Sequence, residues 1–560
     1  MSFYTDASLV LIPSGVKNQK VYSAKPIDGS GDLTFSRASN ATRVNSSGLV
    51  EKVRQNLALY SNTFSDALWT KLAASVTGGQ TGYDGSSNAW LLENNSGTFT
   101  TTRLQQLISL SSSTYTFSIY AKAGTTDIMR ILIWDGATSR QTWFNFTTAA
   151  FGNTASLVST FAENIGGGWF RISITAQSAV ASAAVYPTDA SGSSFADAGD
   201  NIYIQNAQLE TGDIATDYIA TTSAAVSVGP VSGLPRLDYS GGASCPSLLL
   251  EPQRTNYLFP SEQINQWVGG STTIVANVGI SPSGYQDADS ITFSSGGYWY
   301  KSTSLTYTTG QTFVWSIYVN TSTRVIQWGG ATPAGTSTYE IVDAGNGWYR
   351  QILTRTTSGS GTGGFQTLMD SVYIGVGVEF KIWGAQLEAG AYATSYIPTL
   401  GASVTRLGDM VGKSAFPTSI LNTTTAHSGF FELKPNAIET SGFQVFGFDN
   451  NTYSSYIKIY ADTTGRHRMA ASSGGSSGVS AWGVANQYNK FAWSYDGAGN
   501  VKFFCNGVAS VNYSITLNAM TEFGAGEKSL QTNYTSQSFK QILLFNSKLT
   551  DAQLAELTTL

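Results

Sequence analysis

Hydrophobic and polar residues along this chain alternate in short runs rather than in helical periods. Segments rich in Val, Ile, Tyr, Phe, Trp and Thr recur at close spacing, and each is bounded by Gly, Ser, Asn or Asp. A helical repeat, with apolar residues every three or four positions, is almost absent. This pattern predicts an all-β chain of the β-sandwich or jelly-roll type. The clearest predicted strands are residues 115–122, 128–134, 169–175, 202–208, 313–319 and 380–387.

One β-hairpin can be predicted in detail from its turn residues. Residues 491–495 and 501–505 are both apolar and aromatic, and Asp-Gly-Ala-Gly lies between them. Asn506-Gly507 follows directly, and this pair favours the positive φ angles of a tight turn. The sequence therefore predicts a hairpin over 491–505 that continues through a second turn.

A single short helix is predicted at the C-terminal end. Thr550 and Gln553 have the spacing of a capping box, in which each residue satisfies a free backbone N–H of the other. Leu554 and Leu557 fall on one face of this helix. Because so short a helix is unstable alone in water, we expect it to dock on a sheet.

Two stretches of the chain are copies of one module, at residues 56–228 and 256–406. Matching blocks occur in the same order and at nearly the same spacing, so internal duplication explains them better than chance. Neither copy contains a recognisable active-site motif. The first copy has Asn56-Leu57, Trp69, Phe117-Ser118-Ile119-Tyr120, Trp169-Phe170-Arg171, Ala207-Gln208-Leu209-Glu210 and Tyr218-Ile219. The second has Asn256-Tyr257, Trp267, Trp315-Ser316-Ile317-Tyr318, Trp348-Tyr349-Arg350, Ala385-Gln386-Leu387-Glu388 and Tyr396-Ile397.

Three further segments lie outside the two copies. Residues 1–55 precede the first copy, residues 229–255 bridge the two copies, and residues 407–560 follow the second. The bridge is too apolar for a flexible linker, so we expect it to be structured and to pack with the N-terminal segment. Since a jelly roll usually brings its two ends together, the first module is interpreted as an insertion. Residues 34–53 and 235–252 would then be two halves of one small unit.

Composition and charge limit the classes of function. Charged residues make up 12% of the chain, glycine contributes 58 residues, and the net charge is −5. Nucleic acid and anionic membranes require a basic surface, which this chain lacks. No segment approaches the roughly 18 apolar residues of a membrane span, and the N-terminus has no basic region before an apolar core. We therefore expect synthesis in a cytoplasm without a signal peptide, no membrane insertion, and a hydroxyl-rich surface that suits sugars.

Three strings outside the repeated modules resemble a signature of bacteriophage virion proteins, namely fibres and spikes on heads or tails. The resemblance implies that residues 1–55 form an attachment and organising segment that contacts other virion proteins. It also implies that the mature protein is located in the virion. The strings are Thr34-Phe-Ser-Arg37-Ala-Ser-Asn-Ala-Thr42-Arg43-Val-Asn45, Pro235-Arg236-Leu-Asp238-Tyr239 and Leu248-Leu-Leu-Glu251-Pro252-Gln-Arg254-Thr255-Asn256.

The remaining regions resemble sugar-binding folds. Both modules, with Ala-Gln-Leu-Glu followed by Tyr-Ile, resemble carbohydrate-binding jelly rolls of the same phage proteins. Residues 491–497, 501–507 and 542–552 resemble the closing hairpin, last strand and helix of a concanavalin-type, laminin-G-like lectin sandwich. The resemblance implies tandem jelly-roll modules plus a concanavalin-like sandwich with a short C-terminal helix, at residues 407–560. It also implies binding to host cell-surface glycans.

Candidate sugar contacts are aromatic residues that differ between the copies. A pyranose stacks its C–H face on an aromatic ring, and flanking polar groups orient its hydroxyls. Aromatic residues that match between the copies are expected to be structural, because duplicated scaffolds retain packing residues. Strand alternation places Tyr298 and Tyr300 on one face and Trp299 on the other. The candidates are Trp134 and Trp143 in the first module and Tyr298, Trp299, Tyr300 and Trp328 in the second.

Two sets of acidic residues are considered, one for a structural role and one for calcium binding. Glu210 and Glu388 end matching strands, and we expect them to satisfy backbone donors or to pair with Arg171 and Arg350 rather than to bind ligand. Calcium is a second hypothesis, because jelly-roll sugar-binding modules often carry a structural ion held by carboxylates. Solvated turns explain the same acids equally well. The carboxylate pairs considered for calcium are Asp84 with Glu93, and Asp287 with Asp289.

Catalysis is not expected from the residues present. The two histidines, His427 and His467, lie near no nucleophile motif, and the neighbouring arginines suggest that His467 is exposed. A glycosidase needs only two facing carboxyl groups, so a glycan-depolymerising spike enzyme stays open as an alternative. A purely structural capsid decoration is the third interpretation. We expect a non-enzymatic homo-oligomer, with a trimer as one option, whose weak sites gain adhesion through multivalency.

Overall fold

The computed structural model describes residues 3–96, 100–193, 195–437, 444–450, 454–461, 466–484, 487–525 and 536–559. Within these ranges β-strands are the dominant regular structure, at about 54% strand against 4% helix, and every strand pairing is antiparallel. The prediction of an all-β chain of sandwich modules is confirmed. No helix in the described part of the chain has the length and apolar character that a membrane crossing requires.

The elements of the N-terminal segment, the first module and the bridge follow in chain order. The N-terminal segment contains α1 (Phe3–Asp6), β1 (Leu9–Leu11), β2 (Val16–Lys17), β3 (Lys20–Val21), β4 (Leu33–Ser36), β5 (Arg43–Val44), β6 (Val50–Glu51) and β7 (Arg54–Asn56). The first module contains β8 (Trp69–Leu72), β9 (Ala74–Gln80), β10 (Ala89–Asn94), β11 (Thr100–Thr101), β12 (Arg103–Ala123), β13 (Ile128–Trp134), β14 (Ser139–Asn145), β15 (Ala150–Ala155), β16 (Ser159–Gly166), β17 (Trp169–Thr188), β18 (Phe195–Ala196), β19 (Asn201–Thr211) and β20 (Val226–Val228). The bridge contains β21 (Arg236–Asp238), β22 (Ser247–Leu250) and the start of β23 (Arg254–Asn256).

The second module and the C-terminal region contain the remaining elements. The second module has a 3-10 turn (Ile264–Gln266), β24 (Val268–Gly279), β25 (Ala288–Tyr307), β26 (Thr312–Val319), β27 (Ile326–Trp328), β28 (Gly335–Thr336), β29 (Tyr339–Gly345), β30 (Trp348–Thr357), β31 (Gly361–Asp370), α2 (Ser371–Ile374), β32 (Glu379–Ala389) and β33 (Val404–Arg406). The C-terminal region has β34 (Met410–Lys413), β35 (His427–Ala437), β36 (Gln444–Asp449), β37 (Ser455–Ala461), β38 (His467–Ser473), β39 (Ser476–Val479), β40 (Asn489–Tyr495), β41 (Asn500–Cys505), β42 (Val508–Ala509), β43 (Tyr513–Ser514), β44 (Glu522–Ala525), β45 (Ser536–Phe545) and α3 (Asp551–Thr558).

Three separate segments of the chain build the C-terminal sandwich. One sheet has the order β21-β22-β45-β35-β40-β41-β42, and the other has β2-β3-β4-β34-β44-β36-β37-β38-β39. β1 also pairs with β45, where Leu9 lies opposite Leu544. The five-part division of the chain stays a prediction. The topology adds that the N-terminal segment and the bridge supply strands to the same two sheets as residues 410–545.

Aromatic and aliphatic side chains from all three segments share the core of this sandwich. Burying them together stabilises the fold by roughly 1.5–3 kcal/mol for each large side chain, before entropy is considered. Because the N-terminal strands fill part of this core, they cannot detach without exposing it. Core members include Leu9, Phe35, Leu248, Phe431, Trp493 and Phe523.

The two modules are antiparallel sheets folded back on themselves as jelly rolls. The first has the order β15-β14-β13-β17-β12-β19-β10-β9, and the second has β27-β31-β25-β32-β26-β30-β28. Both contain a bulge at the same place, where Asn206 has a φ of 53° and Gly384 a φ of 64°. Asparagine and glycine are the residues that best tolerate this left-handed conformation. The shared bulge supports the duplication.

Each module joins the rest of the chain through a two-stranded ribbon. β7 pairs with β20 at the base of the first module, and β23 pairs with β33 at the base of the second. The entering and leaving strands of each module therefore lie side by side. This geometry supports the interpretation of the first module as an insertion. The second module begins and ends in the same way, so it too is inserted between strands of the C-terminal sandwich.

A buried ionic network joins the ribbon of the second module to the C-terminal sandwich. Asp409 binds both Arg37, at 2.9 Å, and Arg236, while Glu251 binds both Arg236, at 2.7 Å, and Arg406. The side chains of all five residues are at most 5% exposed. Arg37, Arg236 and Glu251 belong to the strings that resemble the phage signature. In this chain they lie where the bridge, the second module and the C-terminal sandwich meet.

The local predictions at the C-terminal end are confirmed. β40 and β41 form the predicted hairpin, with Tyr495 opposite Val501, and Asn506 and Gly507 both have positive φ. Helix α3 begins at a complete capping box. Its buried Leu554 packs with residues of the outer face of the first sheet, as the apolar stripe predicted.

Candidate functional site

The repeated Gln-Leu-Glu blocks form the same internal clasp in both modules. Asn56 donates through Nδ2 to the carbonyls of Ala207 and Ile219, and its Oδ1 accepts from the backbone N–H groups of residues 58 and 209. Asn256 makes the four corresponding hydrogen bonds in the second module, including those to Ala385 and Ile397. These repeated residues therefore close the module rather than bind a ligand.

The repeated glutamates satisfy backbone donors, which is the structural role predicted for them. Glu210 accepts from the backbone N–H of Thr216 at 2.9 Å, and Glu388 accepts from that of Thr394 at 3.0 Å. Both are at most 2% exposed, and burial raises the pKa of Glu210 although hydrogen bonds from Gln208 and Thr216 oppose the shift. Arg171 donates to the carbonyl of Thr216 rather than to Glu210 directly.

Aromatic residues that match between the copies are packing residues. Trp69, Trp267, Trp169 and Trp348 are between 1% and 5% exposed. In each module a serine hydroxyl lies 2.6 Å from the matching tyrosine hydroxyl, at Tyr218 and Tyr396. The four indole rings and Tyr396 are buried inside the scaffold, and Tyr218 is partly buried against its module, so their role is structural.

Three of the six candidate sugar contacts have packed indole rings. Trp299 donates through Nε1 to the Ile264 carbonyl at 2.9 Å, and Trp328 donates to the Thr354 carbonyl at 3.1 Å. Trp143 is 5% exposed, and its Nε1 donates to a backbone carbonyl. Because each indole N–H already has an internal partner, the positions of these three residues do not support glycan contact. Sequence periodicity could not reveal those partners.

Trp134 lies on an open turn. Its side chain is 39% exposed at the end of β13. Asp135 follows it and pairs with Arg140 at 2.5 Å. The backbone N–H groups of Thr138 and Ala137, together with Arg140, lower the pKa of Asp135 to about 2. Trp134 therefore stays available for a sugar, beside polar groups that are already paired.

Tyr298 and Tyr300 in the second module border an open concave site. Their rings lie 6.1 Å apart with an interplanar angle of 27°, and Tyr298 is 44% exposed. The predicted alternation holds, because Trp299 packs against the module core on the opposite side. The two rings border an open cavity of about 330 Å³. Its lining residues are Gly296, Gly297, Tyr298, Tyr300, Gln366, Leu368, Asp370, Ser371 and Val372.

Strand pairing places one acidic and one apolar side chain opposite the two tyrosines. In the β25–β31 pair, Tyr298 lies opposite Asp370 and Tyr300 lies opposite Leu368. Asp370 then caps α2, accepting from the backbone N–H of Val372 at 3.0 Å, and it also accepts from the amide of Gln327. The carboxylate is thereby fixed in one orientation at the rim of the cavity.

The shape of the cavity depends on a glycine before the tyrosine pair. A Cβ on Gly297 would lie 2.4 Å from the Ser271 carbonyl oxygen and 2.8 Å from that of Ser294, so no larger residue fits without movement. Val372 forms part of the opposite side and is 81% exposed. The result is a groove with an aromatic side and a polar rim.

Sequence reasoning found the tyrosines but missed Gln366, Asp370 and Ser371. These residues are contributed by a strand whose pairing with β25 is not visible locally. One signal was present, because an aspartate directly before Ser371 has the character of a helix N-cap.

The tyrosine hydroxyls have no hydrogen-bond partner within the described residues, so both are open to a ligand.

The first carboxylate pair considered for calcium does not form one site. Asp84 accepts from the N–H and hydroxyl of Ser86, and it lies 3.5 Å from the amide of Gln205. Glu93 instead lies 3.4 Å from the amide of Asn201. Those two amides are four residues apart on β19, which separates them by roughly 13 Å. The residues do not fit a shared ion.

Protein groups already hold both members of the second pair, Asp287 through Lys52 and Asp289 through backbone N–H groups. Lys52 binds Asp287 at 3.4 Å and Glu262 at 2.7 Å, and its side chain is 15% exposed. Burial opposes the charged ammonium, but these carboxylates hold the pKa of Lys52 above its usual value. Asp289 accepts from the backbone N–H groups of residues 265 and 277. Across the described ranges, no group of three or more His, Cys, Asp or Glu side chains is placed to hold a metal.

Both histidines lie inside the C-terminal sandwich. His427 and His467 are each fully buried, so the expectation that His467 is exposed was wrong. The error came from the flanking arginines, whose side chains leave the sheet while His467 turns inward. Burial lowers the pKa of His427 to about 4, although a hydrogen bond to the Thr425 carbonyl opposes this.

Comparison with known proteins leaves the function to be judged from the site. No family model matches the chain, and no curated protein matches it. Among solved structures, it is similar to the binding domain of botulinum neurotoxin serotype G, at 12% identity and a TM-score of 0.21, covering 27% of this chain and 39% of that one. Domain 4 of AbnA, a GH43 arabinanase from Geobacillus stearothermophilus solved with arabinotriose, is similar at 14% identity and a TM-score of 0.22, over 30% and 84% of the two chains. The Ruminococcus gnavus IT-sialidase CBM40 bound to α2,3 sialyllactose is similar at 12% identity and a TM-score of 0.22. The match covers 27% of this chain and 92% of that one.

Proposed function

We propose that this chain is a non-enzymatic adhesin that binds glycans through the Tyr298–Tyr300 cavity. The observation that carries the proposal is an exposed pair of nearly parallel rings facing fixed polar groups across an open groove. A pyranose presents a C–H face to such rings and hydroxyls to its sides. Gln366 and Ser371 offer donors and acceptors, and the Asp370 carboxylate offers acceptors, for those hydroxyls.

Weak individual sites fit adhesion by many copies. A shallow stacked site of this size leaves one side of a sugar in water, so its affinity is modest. Linking several such sites raises the effective concentration for the second and later contacts. We therefore propose a homo-oligomer, with a trimer as one option, in which the exposed Trp134 offers a further contact.

We propose that the adhesin is a fibre or spike of a bacteriophage virion, on the head or the tail, that meets glycans of the host surface. The resemblance of three strings to virion proteins supports this location, as does the structural use of those strings at the junction. Residues 1–55 would contact other virion proteins through the face of the C-terminal sandwich that they help to build. The protein would be made in the host cytoplasm, without nucleic acid or membrane as a partner.

Two alternatives make different predictions. A glycan-depolymerising spike enzyme would need a second carboxyl group facing the first, and the residues lining the cavity contain only Asp370. This count favours binding over cleavage at that site. A purely structural capsid decoration would bind no glycan at all and would still co-purify with virions.

The test is a glycan array probed with the 560-residue chain and its variants. We expect wild-type protein to retain a subset of glycans without releasing new reducing ends, and Tyr298→Ala to lose that signal. Tyr22→Ala is the matched control, because Tyr22 is 37% exposed and lies in the N-terminal segment. New reducing ends would replace the adhesin with the enzyme, and a blank array would favour the structural decoration.

A further inference from the structure

We propose that the Tyr298–Tyr300 cavity selects uncharged sugars and rejects glycans that present a carboxylate there, such as sialic or uronic acids. This inference rests on the proposed function and adds the chemical class of its ligand. The selecting group is the Asp370 carboxylate, which lies opposite Tyr298 across the strand pair.

The charges around the cavity are of one sign. Among its nine lining residues, Asp370 is the only one with an ionisable acid or base other than the tyrosine phenols. Lys301, the next residue along β25, lies on the other face of the strand over the ring of Phe259, 5.6 Å from its centroid. Arg324 is held between the rings of Tyr339 and Tyr373, at 4.5 Å from each centroid. A sugar carboxylate in the cavity would thus face a carboxylate and no lining cation.

Asp370 cannot turn away to relieve that repulsion. One of its oxygens accepts from the backbone N–H of Val372 as a helix cap, and the other accepts from the Gln327 amide. The residue is 9% exposed, so solvent screens it only in part. Its remaining lone pairs can accept hydrogen bonds from sugar hydroxyls, which a neutral pyranose supplies.

The first module has different chemistry at the corresponding place. Gly270 lies three residues after Trp267 and pairs with Tyr298, whereas Leu72 lies three residues after the matching Trp69 and pairs with Arg103. Arg103 therefore stands where the second module has Tyr298.

A tyrosine takes the place of Asp370 in the first module. The antiparallel register of β12 and β17 brings Tyr186 opposite Arg103, and both Arg103 and Arg130 lie over its ring, at 6.0 and 4.6 Å. The duplicated scaffold thus carries two arginines at this position in one copy and an isolated carboxylate in the other. Since the scaffold itself does not require either charge, the carboxylate of the second module is available to set ligand preference.

The experiment compares matched oligosaccharides that differ only in charge. Full-length protein is titrated with pairs in which a C6 hydroxymethyl group is replaced by a carboxylate, or in which a terminal sialic acid is added. We expect the neutral member to bind about tenfold or more tightly at low salt, and the difference to shrink as salt rises. Asp370→Asn retains a good capping residue and is expected to bring the two affinities within about twofold.

Two further variants separate the possible failures. Asp343→Asn removes the same charge from an exposed position near the end of β29 in the same module and should leave the preference unchanged. Tyr298→Ala should abolish binding of both members, and if it does not, the proposed site itself is wrong. If Tyr298 is required but the carboxylated member binds as tightly as the neutral one, the selectivity inference alone is overturned. Thermal melts of each variant confirm that it folds.

Discussion

Removing the charge of Glu251 should destabilise the whole junction. Glu251 accepts from Arg236 and Arg406, and its carboxylate also accepts from the hydroxyl and backbone N–H of Ser395. Glu251→Gln keeps the shape of the side chain but leaves two buried guanidinium groups without the anion that they share. Breaking a buried ion pair by neutralising one partner costs about 3–5 kcal/mol. For a unit of this size we expect a fall in Tm of roughly 10 °C.

The same substitution at an outer ion pair is the control. Glu51 pairs with Arg43 at 2.7 Å, but both side chains are about one-fifth exposed. Glu51→Gln should therefore change stability by less than about 1 kcal/mol. The measurement is thermal unfolding of the full chain by calorimetry, repeated with limited proteolysis at the β23–β33 ribbon. Equal melting temperatures for Glu251→Gln and Glu51→Gln would refute the role of the network.

The network also predicts the direction of acid sensitivity. Burial works against the charged form of Glu251, but Arg406 and Arg236 outweigh it and hold the pKa of Glu251 well below its usual value. In the unfolded chain the pKa of a glutamate is about 4.3. The stabilisation is therefore complete above about pH 4.3 and is lost as the pH falls below it toward the folded pKa. Glu251→Gln should flatten the stability profile in that window.

Three further predictions concern single elements. The pKa of His427 is about 4 in the folded chain and about 6.5 in the unfolded chain. The free energy of unfolding should therefore fall by roughly 3 kcal/mol as the pH drops across that window. His427→Gln should reduce this slope in a pH series of thermal melts. Thr550→Ala removes the capping box of α3 and should cost about 1 kcal/mol, seen as faster hydrogen exchange in α3, whereas unchanged exchange would contradict the cap. Asn256→Ala removes four hydrogen bonds of the second clasp and should destabilise that module by about 2–4 kcal/mol. Asn56→Ala should destabilise the first module by the same amount. Unequal losses would argue against equivalent clasps.

Local patterns in the sequence predicted the elements but not their partners. Period-two alternation, turn residues and the capping box are encoded within about ten residues, so the strands, the hairpin and α3 were predictable. The pairing of Leu9 with Leu544 and of Leu248 with Phe539 joins residues hundreds of positions apart. Such pairings are set by which apolar faces fit together in the core, and a single sequence does not record that fit.

At the candidate site too, locally encoded features were predicted and long-range contacts were not. The opposite orientations of Trp299 and Tyr300 follow from strand alternation and were predicted. Asp370 reaches the site only because β31 pairs with β25, and the closed positions of Trp143 and Trp328 depend on carbonyls from other segments. The duplication was informative in another way, since residues matched between the copies, such as Trp267 and Tyr396, were expected to be structural and are packed in the module.

A structure of the chain with a bound oligosaccharide is the decisive test of glycan binding at the Tyr298–Tyr300 cavity. A neutral glycan selected on the array is soaked into crystals or added before cryo-electron microscopy. We predict a pyranose ring stacked about 4 Å from the Tyr298–Tyr300 pair, with a hydroxyl hydrogen-bonded to Asp370 or Gln366. A sugar bound only at Trp134, or on the C-terminal sandwich with the tyrosine cavity empty, would contradict it.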